Sequence, residues 1–174
     1  LSFLSSPSWS ETLTIDDLVE RNDLYYKKFT NVPFTGEISG IESGKFNNGI
    51  KDGEWLSYHK NGQLSSLVNY EEGKKNGEWI SYHENGQLRS QVNYKEGKKD
   101  GEWVTYHENG KLKWKENIIN GKRVGLWEFY HDNGKLRSKG NYKDGKSDGF
   151  WEYYHKNGQL MSKGNYKDGK FEGL

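Results

Sequence analysis

Large apolar side chains fall on a fixed schedule along this chain. From Lys51 onward the order Gly-x-Trp-x-x-Tyr-His-x-Asn-Gly-x-Leu returns about every 24 residues, dividing the sequence into units 51–74, 75–98, 99–122, 123–146 and 147–170. Each unit holds two runs of alternating character. Glu54–His59 reads as one strand, Asn61-Gly62 as a hairpin dipeptide and Gln63–Tyr70 as the returning strand, after which Glu71–Gly77 turns the chain back. A period of this length marks stacked supersecondary units. The expected fold is therefore all-β: an elongated single-layer antiparallel sheet of tandem β-hairpin repeats. With strands ~4.8 Å apart, each repeat advances about 9–10 Å and five repeats span roughly 45–50 Å.

Register decides which side chains share a face, and two registers fit the sequence. A two-residue type I′ turn at Asn61-Gly62 sets Trp55 against Val68 and His59 against Leu64. A type I turn at Lys60-Asn61 with Gly62 as a bulge shifts the pairing and sets Tyr58 against Leu64. Position 56 becomes Glu128 and Glu152 in later repeats, and the first register places these opposite Lys139 and Lys163 as exposed ion pairs. That register is preferred. It predicts Trp55, Trp79, Trp103, Trp127 and Trp151 on one buried face with Leu64, Leu88, Leu112, Leu136 and Leu160.

The ends of the sequence depart from the repeat. Residues 11–50 read as an N-terminal cap and degenerate repeat, with a capping box at Thr14–Asp17 predicting a helical turn over Asp16–Arg21. Leu24–Tyr26 and Pro33–Ile38 read as degenerate repeat strands. Residues 1–10 are short, apolar and small, and Ser8-Trp9-Ser10 fits a small-x-small cleavage pattern, so they are expected to be a signal-peptide remnant. Phe171–Leu174 repeats the pattern of Arg123–Leu126, the expected start of a sixth unit in a longer protein.

Composition narrows the class further. Only 31% of residues are hydrophobic while 15% are aromatic, which favours narrow aromatic ladders over one filled core. There is no alanine, and Trp and Tyr recur on schedule, so strand formers outweigh helix formers. The absence of cysteine excludes disulfides and thiolate chemistry. A net charge of +1 argues against nucleic acid as a partner. The charge is uneven, with four basic against seven acidic residues over 1–50 and six against three in the fourth repeat.

Three features invite a chemical reading, and each has a simpler one. His59, His83, His107, His131 and His155 hold one repeat position, so neighbouring imidazoles lie about 9–10 Å apart, too far to share a zinc. His131, Asp132 and Ser138 suggest a triad but lack a strained nucleophile turn or oxyanion hole. Pairs such as Gly73-Lys74 and Gly97-Lys98 lack the remainder of a phosphate-binding loop. No catalytic, cofactor or metal site is expected.

The phrase Asp/Asn-Gly-x-Trp-x-x-Tyr-His-x-Asn-Gly-x-Leu, followed by Asn-Tyr-x-x-Gly-Lys, resembles the bacterial variant of the MORN repeat (membrane occupation and recognition nexus), which also defines proteins labelled YwqK-type antitoxins. The resemblance covers 51–174 strongly and 24–50 loosely; the third repeat departs from it at Trp114 and Ile118-Ile119. It implies a non-catalytic array that binds a protein partner, with antitoxin-like neutralisation as one form. The alternative is a membrane- or envelope-associated module that meets anionic lipid or cell-wall glycan. Candidate binding residues are the departures from the repeat, Trp114, Phe129 and Tyr153, with Arg123, Arg137 and Lys139 of the basic fourth repeat. The expected location is secreted, periplasmic or in the cell envelope, with the cytoplasm as alternative. An unpaired edge strand is expected to permit self-association.

Overall fold

The computed structural model describes residues 12–173. The expected signal-peptide remnant at 1–10 lies outside these residues. Fifteen strands follow in order: β1 (Leu18–Arg21), β2 (Leu24–Lys27), β3 (Gly36–Ile38), β4 (Glu42–Asn47), β5 (Ile50–Tyr58), β6 (Leu64–Glu71), β7 (Lys74–Tyr82), β8 (Leu88–Lys95), β9 (Lys98–Tyr106), β10 (Leu112–Ile119), β11 (Lys122–Tyr130), β12 (Leu136–Lys143), β13 (Lys146–Tyr154), β14 (Leu160–Lys167) and β15 (Lys170–Gly173). Strands β3 to β15 form one antiparallel sheet in which every strand pairs with its neighbours in sequence, and β1 and β2 form a separate hairpin. The sheet is a single-layer array of hairpins, as the repeat predicts.

Two kinds of turn alternate along its edges. At one edge, two-residue links such as Glu72-Gly73 and Asp144-Gly145 place both residues at positive φ, which is a type I′ turn. At the other edge, the Gly62 amide donates to the His59 carbonyl (2.9 Å) and the His59 amide to the Gln63 carbonyl (2.8 Å). Gly62 has φ +83° while Asn61 stays out of the left-handed region, so this is a type I turn closed by a left-handed glycine.

The two registers weighed from the sequence are both realised, in different parts of one hairpin. Trp55 pairs with Val68 and Ser57 with Ser66, following the first; Tyr58 then pairs with Leu64, following the second, and a bulge absorbs the difference. The same shift recurs in every repeat. The grouping of Trp with Leu is thereby corrected: Leu64 and its equivalents lie on the face of Leu56 and Tyr58, opposite the tryptophans. Glu128 does face Lys139 and Glu152 faces Lys163.

The turn histidines and asparagines stitch one repeat to the next. His59 Nε2 donates to the Tyr82 carbonyl at 3.0 Å, and His83, His107 and His131 make the same bond to Tyr106, Tyr130 and Tyr154. Asn61 Nδ2 donates to the Glu84 carbonyl at 2.8 Å while its Oδ1 accepts from the Gln63 amide, a pattern repeated at Asn85, Asn109 and Asn133. The recurrence of His-x-Asn-Gly is explained by these bonds. The ring nitrogen that meets a carbonyl must carry a proton, which fixes the donor role of Nε2.

The N-terminal segment closes one end of the tryptophan face. The predicted helical turn is shorter and earlier than expected, a 3-10 turn at Ile15–Asp17. The Asp17 carboxylate accepts from the Thr14 amide (2.8 Å) and hydroxyl (2.9 Å), and β1 begins at the next residue. Leu24–Tyr26, expected as a repeat strand, lies in β2, which pairs with β1 instead of joining the main sheet. Leu18 packs with Ile38, Phe46, Trp55 and Val68 in a core that Leu13, Ile15, Tyr25 and Phe34 flank. Phe46 is fully buried, with Tyr25 at 4.8 Å and Trp55 at 4.9 Å between ring centroids.

The stitching bonds set an expectation for the array's interior. Asn109→Ala removes one bond within its turn and one to Asp132, and is expected to lower unfolding free energy by about 1–2 kcal/mol. Chemical denaturation checks this, with Asn157→Ala, whose Nδ2 donates to the Gln159 side chain rather than to a backbone carbonyl, expected to cost less.

Candidate binding face

Aromatic rings line one face of the sheet over most of its length. Opposite four of the five repeat tryptophans stands a small or apolar partner: Val68 for Trp55, Val92 for Trp79, Gly140 for Trp127 and Gly164 for Trp151, while Trp103 faces Glu116. Gly140 shows why this position is tight, because a Cβ there would lie 2.1 Å from the Trp151 ring. From the third repeat onward the rings form a continuous series. Trp103 meets Trp114 at 4.4 Å, Trp114 meets Trp127 at 5.9 Å and Phe129 at 6.3 Å, and Tyr142 bridges Trp127 (4.9 Å) and Trp151 (5.3 Å). Tyr153 lies 6.2 Å and Tyr166 6.1 Å from Trp151, and the Tyr153 hydroxyl donates to that of Tyr166 at 3.3 Å. Such offset and edge-on pairs each add about 0.5–1.5 kcal/mol beyond burial. Trp127 and Trp151 are buried by their neighbours, whereas Trp114, Phe129, Tyr142, Tyr153 and Tyr166 remain half-exposed as the outer surface.

A row of cations runs along the same face. Lys51, Lys75, Lys99 and Arg123 open successive repeats, and each lies over the tryptophan of its own repeat, at 3.9, 5.8, 2.9 and 4.4 Å from the ring centroid. Tyr70, Tyr94 and Tyr142 give Lys51, Lys75 and Arg123 a second ring. Ile118 stands where Lys99 would meet such a tyrosine. Burial lowers the Lys75 ammonium below its ordinary range, and the neighbouring Lys51 adds to the shift. Burial likewise lowers Lys99, against the opposing pull of Glu116.

Glu116 is the residue that the sequence reading missed. It is 1% exposed, in the column that holds Val68, Val92, Gly140 and Gly164 in the other repeats. Arg123 Nε lies 3.1 Å from its Oε2, yet neither carboxylate oxygen completes a hydrogen bond. Burial raises the carboxyl above its ordinary range, opposed by Arg123, Trp127 and Lys99. The available signal was the column itself, where one charged residue stands among valines and glycines. Trp114, Glu116 and Ile118 depart from the repeat together on alternate residues of β10, so all three changes fall on the aromatic face.

The predicted site residues divide between locations. Trp114, Phe129, Tyr153 and Arg123 share the aromatic face. Lys139 lies on the opposite face and bonds Glu152 at 2.9 Å, and Arg137 is the exposed extra residue of a bulge. The triad residues do not converge: His131 is engaged with Tyr154 and Asp132 with Lys156 at 3.0 Å, while buried Ser138 pairs with Phe129. Among the described residues no three metal-ligating side chains cluster.

This geometry agrees with comparison to known sequences. The chain matches the MORN repeat variant over residues 51–72, 75–96, 99–120, 123–144 and 148–168, more than half its length. It belongs to the MORN repeat variant family. Such arrays are repeat scaffolds that serve as protein- or membrane-binding modules. No curated protein matches this MORN array. Among solved structures it is similar to the crystal structure of accessory secretory protein 1, 2 and 3 in Streptococcus pneumoniae, at 17% identity and a TM-score of 0.33 over 68% of this chain. It covers 21% of that chain, so it spans about a fifth of that protein's length.

Glu116 gives the face a pH signature. Its folded-state pKa is raised, so its contribution to stability is fully present below the unfolded value of about 4.5 and is lost as pH rises through the folded value. Replacing it with the valine of the first two repeats, Glu116→Val, is expected to stabilise the array by about 1 kcal/mol at neutral pH, since Arg123 remains half in solvent. The gain should shrink towards pH 4 in thermal melts.

Proposed function

We propose that this MORN array is a protein-binding scaffold whose partner lies across the aromatic face of the third to fifth repeats. The observation that carries this reading is the unbroken series of rings from Trp114 to Tyr166 on one side of a single-layer sheet, in which Trp114, Phe129, Tyr142, Tyr153 and Tyr166 stand half-exposed around the buried Trp127 and Trp151. Large rigid rings with polar tips supply contact area at little entropic cost, and interfaces are enriched in them. The repeat keeps the backbone constant while the column of Ser57, Ser81, Thr105, Phe129 and Tyr153 grows in size, which sets the later repeats apart as a surface. Antitoxin-like neutralisation is the finer form of the reading, in which the covered surface of the partner is its working one.

Dispersal of the basic fourth repeat supports a protein over an anionic lipid. Arg123 is held by Glu116 and Lys139 by Glu152 on the other face, and Lys135 Nζ donates to the Asn157 carbonyl at 2.7 Å. No single plane gathers these charges for a bilayer.

A photo-crosslinking amino acid placed singly at Trp114, Phe129, Lys115 or Glu128 tests the reading in the native host. The expected result is one discrete crosslinked protein from 114 and 129, and none from 115 and 128 on the opposite face. Equal products from both faces, or none from either, would contradict it.

A further inference from the structure

The cations on the aromatic face are spaced and balanced in a way that specifies what they meet. Lys51 has a carboxylate neighbour, Glu42 at 3.4 Å. Beyond it, Lys99 and Arg123 share one carboxylate, Glu116. Lys75 makes no ion pair among the described residues and lies beside the Trp79 and Tyr94 rings. Lys75 and Lys99 are half-buried against apolar rings, where an opposing charge is screened less than on an open surface. The face thus carries a surplus of positive charge that the chain itself leaves unbalanced.

Spacing adds a second constraint. Successive cations are one repeat apart, which is two strand spacings or roughly 9.6 Å. A segment lying across the strands meets each cation in turn if its own side chains recur at that distance. A polyproline II segment does so, with three residues per turn and a rise of about 3.1 Å, or about 9.3 Å between side chains on one face. A β-strand repeats on one face at about 6.8 Å, and neighbouring phosphates of a nucleic acid strand stand closer still. Aromatic-lined surfaces suit polyproline II ligands, whose conformation is largely formed before binding.

We propose that Lys75, Lys99 and Arg123 form a docking track for an extended acidic segment of a partner protein, with carboxylates at every third residue and prolines or apolar residues packed on the intervening rings. This rests on the aromatic face being the binding face, which the track extends to the second repeat through Lys75, and names the chemistry of its occupant. Each carboxylate reaches one cation, and the residues between lie on the half-exposed rings beside them, Trp79, Tyr94 and Trp103.

Fluorescence anisotropy with synthetic peptides tests the track on the intact chain. The probes are a labelled peptide of about five Glu-Pro-Pro units, an isomer with the glutamates gathered at one end, and an oligothymidine of similar length. The spaced peptide is expected to bind about tenfold more tightly than its isomer and to weaken as salt rises. Lys75→Gln and Lys99→Gln should each weaken binding about three- to tenfold, and Lys139→Gln on the other face should leave it unchanged. Equal binding of the isomer, tighter binding of the oligonucleotide, no binding of the spaced peptide, or indifference to both lysine variants would overturn the proposal. Crosslinking from position 114 would survive any of these results, which separates failure of the track from failure of the face.

Discussion

A sheet with one layer has no partner layer against which to bury its apolar side, and the rest of this structure follows from that constraint. Tryptophans here are covered by what stands beside them on the same face: the next ring, a lysine stem, or an arginine lying over the indole. Cover of this kind comes from neighbouring repeats, so each repeat depends chiefly on those adjoining it. The histidine and asparagine bonds at the turns have the same reach, one repeat forward. At the N-terminal end a different solution is used, with β1, β2 and the 3-10 turn laid over Phe46 and Trp55 as a local second layer.

The same constraint joins stability to recognition. In a two-layer domain the core and the binding surface are separate sets of residues; here the rings that hold the array together are those it presents. Glu116 is the clearest expression of this. A buried carboxylate without hydrogen bonds costs stability, and valine or glycine serves the same position elsewhere in the chain. Its presence beside Trp114, Lys99 and Arg123 fits a site held for contact at some expense to the fold.

Much of this was legible in the sequence because the repeat supplies five readings of each position. The hairpin fold, the pairing of Trp55 with Val68 and the opposition of Glu128 to Lys139 all follow from that redundancy. The position of Leu64 did not, because alternation assumes an unbroken register and a bulge near the turn reverses the faces within three residues. Asn61-Gly62 misled for a related reason: the dipeptide favours a type I′ turn, yet Asn61 is held by its side-chain bonds in a type I turn, and the I′ geometry falls at Glu72-Gly73 instead. The role of the histidines required knowing which repeat their rings reach. Arg137 and Lys139 were grouped with Arg123 by their charge within one repeat, whereas the cross-strand register sets Lys139 opposite Glu128 on the other face and the bulge carries Arg137.

The central claim is that rings become a closed core only under the N-terminal segment and elsewhere form an open, neighbour-supported face. Native-state hydrogen exchange, resolved by strand, measures this most directly. The strongest backbone protection is expected in β4 to β6, beneath Leu18 and Tyr25, with protection falling through β11 to β14. Uniform protection from β4 to β14, lost in one cooperative step, would contradict it.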